Sequence, residues 1–293
     1  METKDRVPPA VPSIEPTPVP PGGGYRSIAF VSNRGDGHYY QIYMMDSNGN
    51  NVQRLTQVNA FDRNPHFSYD GNRIAFSSNR GGGFYQIYLL DLQTKRVQQL
   101  TTGPEDKTNP IWIFDSSKIF YTVHGDNEMK IMQMNADGTE ARQIRKSSGC
   151  NYAFSISPDG NLLAYQEINR VYNQILILNL TTREKKVLIG SDDVANYGNA
   201  MFAPNGWQLL FTADFMLHHT RALYIYDIVH GTHERVISDN VDRGEPLFSP
   251  DGSRIAYTAK WGVTWNIWVM NADGSNIRNL TKSNFDNVDP TWR

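Results

Sequence analysis

Apolar residues along this chain come in short runs of four to six, each bounded by turn-forming residues, and the runs recur at a fixed distance. Five segments superpose directly: HFSYDGNRIAF from His66, IWIFDSSKIFY from Ile111, SISPDGNLLAY from Ser155, MFAPNGWQLLF from Met201 and LFSPDGSRIAY from Leu247. Their turn residues Asp70, Asp115, Asp159, Asn205 and Asp251 lie 45, 44, 46 and 46 positions apart. A period of that size marks a repeat architecture, and it organises everything else in the sequence.

Each repeat carries the same text. A short strand leads into Asp-Gly or Asn-Gly, the strongest local hairpin signal because its residues tolerate positive φ. The runs IAF, IFY, LLAY, LLF and IAY follow, continuous and not alternating, as in strands covered on both faces. A third strand comes next (QIYLLDL, KIMQMN, QILILNL, ALYIYDI, NIWVMN), and a fourth closes the unit (VQQLT, RQIRK, KKVLIG, ERVIS, IRNLT). Four antiparallel strands in about 45 residues predict one propeller blade. Residues 26–56 supply only second, third and fourth strands, and the C-terminal DNVDPTWR supplies the missing first. The expected fold is therefore all-β, a six-bladed β-propeller of four-stranded antiparallel blades over 25–293, closed by the C-terminal strand joining the N-terminal blade. Such closure removes the open sheet edge that an extended solenoid would leave.

Composition narrows the classes. The chain has 293 residues, 39% of them hydrophobic, enough for a packed core, and no run approaches the roughly 18 apolar residues of a membrane-spanning helix. Lys and Arg number 28 against 30 Asp and Glu, without long like-charge runs, so nucleic acid is not an expected partner. A single cysteine, Cys150, can form neither an internal disulfide nor a zinc site by itself. Seven of the 15 prolines precede residue 22 and three glycines follow, so 1–24 reads as a disordered linker of semi-rigid extended character. The segment has no apolar stretch of a secretory signal. A spacer implies something to space, so an upstream membrane-anchored or signalling domain in a longer chain is expected.

The core N-P-x-F-S-x-D-G-x-x-I-A-F and the tail I-Y-x-M-N-A-D-G-x-x-x-x-x-L-T resemble the TolB-type, WD-repeat-like propeller, over residues 25–293. That resemblance implies an extracytoplasmic binding or sensor module. In the family's founding member the propeller follows an α/β domain in the periplasm and binds a lipoprotein across one face. Similar propellers end bacterial membrane receptors and receptor-like kinases beyond a proline-rich linker, an arrangement that the tether here fits better. Fold alone does not fix function.

In such a ring the loop leading into each first strand and the loop between second and third strands share one face, where binding residues concentrate. Six residues before each hairpin Asp or Asn stand Asn64, Asn109, Ala153, Asn199 and Glu245, with Asp289 equivalent in the composite blade. These are expected to ring the channel mouth with oxygen atoms suited to calcium or another hard cation, or to a partner's backbone. Asn or Asp before Pro also serves plain turn chemistry. The neighbouring loops offer Arg34, His38, Tyr40, Arg80, His124, Arg170, Tyr172, His218, His219, Trp261 and Trp265, types common at binding hot spots. The repeated Asn33-Arg34 and Asn79-Arg80 read equally well as ties between blades.

Catalytic signals are sparse. There is no G-x-S-x-G nucleophile elbow. His230 and His233 fall in the turn between third and fourth strands, on the opposite face, short of a zinc ligand set. Cys150 reads as a small packed residue. The sequence points to a monomeric, non-enzymatic module for a protein or glycan ligand. Its alternative is a metal-dependent polysaccharide lyase or hydrolase in the channel, drawing on His66, His124, Asp126 and His218-His219.

Overall fold

The computed structural model describes residues 27–126, 128–147, 154–169, 172–190, 195–215, 220–237, 239 and 241–293. The predicted linker 1–24, together with Arg170, His218, His219, Cys150 and Ala153, lies outside them. Six four-stranded antiparallel sheets form the molecule. The first blade joins β24 (Asn287–Trp292) to β1 (Ser27–Ser32), β2 (Gln41–Asp46) and β3 (Gln53–Arg54). The second holds β4 (Asp62–Phe67), β5 (Arg73–Ser78), β6 (Gln86–Asp91) and β7 (Val97–Gln99). The third holds β8 (Asp106–Trp112), β9 (Lys118–His124), β10 (Met129–Asn135) and β11 (Arg142–Ser147). The fourth holds β12 (Phe154–Ile156), β13 (Leu162–Asn169), β14 (Tyr172–Asn179) and β15 (Lys185–Ile189). The fifth holds β16 (Ala195–Phe202), β17 (Gln208–Phe215), β18 (Arg221–Asp227) and β19 (Thr232–Arg235). The sixth holds β20 (Arg243–Phe248), β21 (Arg254–Trp261), β22 (Thr264–Asn271) and β23 (Arg278–Asn279). No helix occurs among the described residues.

The ring closes where the repeat predicts. β24 pairs antiparallel with β1, Ile28 opposite Trp292 and Ala29 opposite Thr291. Burial follows the continuous apolar runs: Ile28, Ala29, Phe30 and Val31 are buried, as are Ile74, Ala75 and Phe76 one blade on. Both faces of a blade are covered because each packs on a neighbour, and six apolar clusters fill the six junctions. At the seam, Ile28 and Phe30 meet Ile267 and Val269 of the sixth blade. Full burial of each such side chain is worth about 1.5–3 kcal/mol, which makes the junctions the core of the fold.

Among the described residues, five of the six innermost strands share one irregularity. In β4, Asn64 and Pro65 together oppose the single residue Phe76, and the register slips there. The same two-against-one bulge recurs at Asn109-Pro110, Asn199-Ala200, Glu245-Pro246 and Asp289-Pro290. A bulge bends a strand and re-aims a side chain.

Candidate functional site at the channel mouth

At each bulge the polar residue adopts a left-handed backbone: φ is 49° at Asn64, 51° at Asn109, 49° at Asn199, 48° at Glu245 and 51° at Asp289. Asn and Asp reach this region more readily than other side-chain-bearing residues. Glu245 is the exception, held there by the register of its sheet. All five line one cavity of about 780 Å³ on the channel axis, together with Arg63, Tyr85, Asp106 and His124. The oxygen-ringed mouth expected from residue spacing thus exists as a set of side chains around a common space.

Its atoms also tie the blades. The N–H of Asp289 donates to Glu245 Oε2 at 2.7 Å, and the N–H of Asn64 donates to Asp289 Oδ2 at 2.9 Å. Each carboxylate therefore accepts from the bulge of the following blade, across the seam and beyond it. Asn64 Oδ1 accepts from Ser77 Oγ at 2.9 Å. Turn chemistry and mouth lining are performed by the same residues.

Charge in the cavity is unevenly held. Burial first, and the adjacent Asp289 carboxylate second, push the Glu245 carboxyl up to about 8. Two carboxylates side by side in a partly dry wall cannot both ionise cheaply. His66 is pushed down to about 4 by burial and is neutral, with Nδ1 3.0 Å from the Phe67 carbonyl. His124 is likewise lowered by burial, and its Nε2 lies 2.7 Å from Thr108 Oγ1. Among the described residues no group of three His, Cys, Asp or Glu side chains is placed to hold a metal ion.

The loop-face candidates separate into built-in and presented residues. Arg80 is built in: it donates both to Asp62 Oδ1 and to Oδ2, at 2.9 and 2.8 Å, and its guanidinium lies 5.0 Å from the Phe76 and Tyr88 rings. Arg34 repeats the arrangement with Asn287 Oδ1 and the Phe30 and Tyr43 rings. Both arginines bind the first strand of their own sheet, so the Asn-Arg motif is a tie within a blade and not between blades. Trp265 is half-buried, with Arg221 and Lys260 each 5.6 Å from its ring. Trp261 is 59% exposed beside Trp268, at the tip that carries Val263. His38 is exposed and packs edge-on against Tyr39 and Phe61. Tyr40 donates to Asp286 and stacks under Arg63, 3.7 Å from its guanidinium. Tyr172 opens β14.

The mouth also contains residues that spacing did not single out. Arg63 and Asp106 stand one and three positions before the bulge in their blades, a place that an index counted only to the bulge passes over. Arg221 lies outside that lining, held by Asp242 at 2.9 Å in the preceding blade, and no local signal links it to Glu245. On the opposite face His233 lies in β19, paired with Tyr226, rather than in a turn. His230 pairs with Asp227.

A family model described as the TolB beta propeller domain matches residues 15–148 and 82–220. The Tol-Pal system protein TolB of Anaeromyxobacter dehalogenans (strain 2CP-C) is 52% identical over 46 residues, 16% of this chain and 11% of that protein. The aligned stretch thus spans about a tenth of that curated relative. The crystal structure of TolB from Acinetobacter baumannii superposes with a TM-score of 0.81 at 20% identity, covering 91% of this chain and 66% of that one. An oligogalacturonate lyase in complex with manganese superposes with a TM-score of 0.58 at 17% identity, covering 86% of this chain and 72% of that one. Both structural likenesses are of fold. With the repeat, the six closed blades and a family match reaching from residue 15 to residue 220 in agreement, the chain belongs to the TolB β-propeller family.

Proposed function

We propose that this propeller is a non-enzymatic, extracytoplasmic interaction module that takes an extended segment of a partner protein at its loop face, over the channel mouth. The observation that carries the reading is the 780 Å³ cavity walled by side-chain oxygens and Arg63, with the Tyr85 and Phe154 rings in its lining. Carboxylate and carboxamide oxygens accept backbone N–H groups or a basic side chain, and rigid aromatic rings supply contact area at small entropic cost. The relative's place among Tol-Pal system proteins supports an interaction role. The lyase alternative requires several ligands converging on one ion, and among the described residues no three His, Cys, Asp or Glu side chains stand together in that way.

A photo-crosslinking residue placed at His38, Phe84 or Val263, all exposed on the loop face, should trap the partner, while one at exposed Val187 in the outer strand should not. Adducts confined to position 187 would overturn the reading. A trapped glycan instead of a protein would replace the partner class and keep the face. A second reading, a hard cation at the mouth, is favoured by the Glu245–Asp289 carboxylate pair. It predicts that calcium raises the melting temperature of the native chain and not of Glu245→Gln.

A further inference from the structure

The channel has a second mouth on the hairpin face. A smaller cavity of about 140 Å³ opens there, collared by Tyr69, Phe114, Phe202, Phe248, Pro204 and Pro250. Tyr69 is 40% exposed and its ring lies 4.8 Å from that of Phe114. Among the described residues Arg293 is the one cation in this wall. Its guanidinium lies 5.1 Å from the Phe67 ring and donates to the Gly71 carbonyl, while its buried Nε finds no partner among the described residues. Aromatic and proline rings around a shallow slot suit proline-rich ligands, whose extended helix is formed before binding and loses little entropy.

Such a ligand is present in the chain itself. Every blade but the first turns from inner to second strand by a hairpin on this face. In the first blade no hairpin joins these strands; instead Ser27 and Arg293 are bonded to each other through both backbone N–H groups. The segment before Ser27 therefore leaves the propeller at the rim of the apolar cavity. It reads VPPAVPSIEPTPVPPGGG from Val7 to Gly24, with seven prolines, one acid at Glu15 and three glycines next to the propeller. The glycines permit the positive φ of a chain reversal. Six residues span up to about 20 Å, enough to carry Pro21 back across the collar.

We propose that residues 8–21 dock in cis as a polyproline helix on the aromatic and proline collar of the hairpin face, with Glu15 paired to Arg293. The site is separate from the loop-face mouth and does not depend on the function proposed for it. A short tether sets an effective concentration of about 1 mM. A trans affinity of about 0.1 mM would then leave the collar roughly nine-tenths occupied by the chain's own segment.

The test is a calorimetric titration of the synthetic peptide 7–24 into two proteins, the full chain and a chain starting at Tyr25, which keeps all 24 strands. The shortened chain should bind the peptide saturably, with a Kd at or below about 0.1 mM, and the full chain at least about tenfold more weakly. Tyr69→Ala in the shortened chain, checked for an unchanged melting transition, and Glu15→Arg in the peptide should each weaken binding at least about fivefold. Absence of binding to the shortened chain, equal binding to both proteins, or binding indifferent to Tyr69→Ala would overturn the proposal. Dimerisation of the shortened chain without peptide binding would assign the collar to a second copy and overturn it equally.

Discussion

Glu245 sits in a left-handed backbone with its carboxyl beside that of Asp289, and the two facts have one origin in the bulge that turns it into the cavity. Its carboxyl is raised from an ordinary 4.5 to about 8, so the folded chain holds a proton that the unfolded chain releases. That proton's contribution to stability is complete below about pH 4.5 and is lost as pH rises through about 8. Glu245→Gln keeps an oxygen for the Asp289 N–H and removes the titration. Its melting temperature should therefore gain on the native chain steadily between pH 5 and 8; parallel melting curves across that range would contradict the assignment. Residue spacing located Asn64, Asn109, Asn199 and Glu245 because the hairpin Asp or Asn gives a fixed origin, and Asp289 followed from the match of the C-terminal strand to the other first strands. It could not reveal the sign of φ. A residue before proline reads as extended, and the left-handed turn is imposed by pairing two residues against one on the next strand. The roles of Arg34 and Arg80 were hidden for a similar reason, since Asn287 and Asp62 become their partners only across the sheet. Asp62 is fully buried in that ion pair, so Arg80→Ala leaves a buried carboxylate alone and should cost about 3–5 kcal/mol in a denaturant titration.

At the scale of strands, the turn between third and fourth strands does more than reverse the chain. A Cβ on Gly274 would stand 2.3 Å from the Val236 carbonyl oxygen, and one on Gly49 would stand 2.6 Å from that of Leu280. Gly138 is similarly placed at 2.9 Å from the Leu100 carbonyl oxygen. In each case the turn of one blade abuts the outer strand of the blade before it. Gly82 has nearly the same φ, 84° against 83° at Gly274, yet open space around it. Gly82→Ala should cost only the left-handed penalty of about 1–2 kcal/mol, and Gly274→Ala clearly more, because backbone must shift. Equal losses of melting temperature would remove the interlock. The order of strands was fully legible in the repeat, since hairpin signals and apolar runs are local. The extent of the outer strands was not: β3 and β23 are two residues long, whereas β11 and β15 in the same place have six and five.

For the molecule as a whole, the seam between β24 and β1 decides whether the ring holds. Trp292 is 7% exposed at that seam, and Trp292→Ala should cost about 3–5 kcal/mol, lowering the melting temperature by roughly 6–20 °C. A smaller loss would mean that the backbone pairing of β24 with β1 holds the ring without that side chain. Sedimentation should show the chain as a monomer of 33.3 kDa, because closure leaves no unpaired sheet edge between the first and last blades. His66, Met201, Leu247 and Thr291 line the cavities at both mouths, and so form the narrow waist between them. That waist makes the channel a pair of cups set back to back. A partner segment taken at the loop face, as proposed above, would meet that waist at the floor of its cup, so the proposal favours a chain end or the tip of a loop, released by the path it entered.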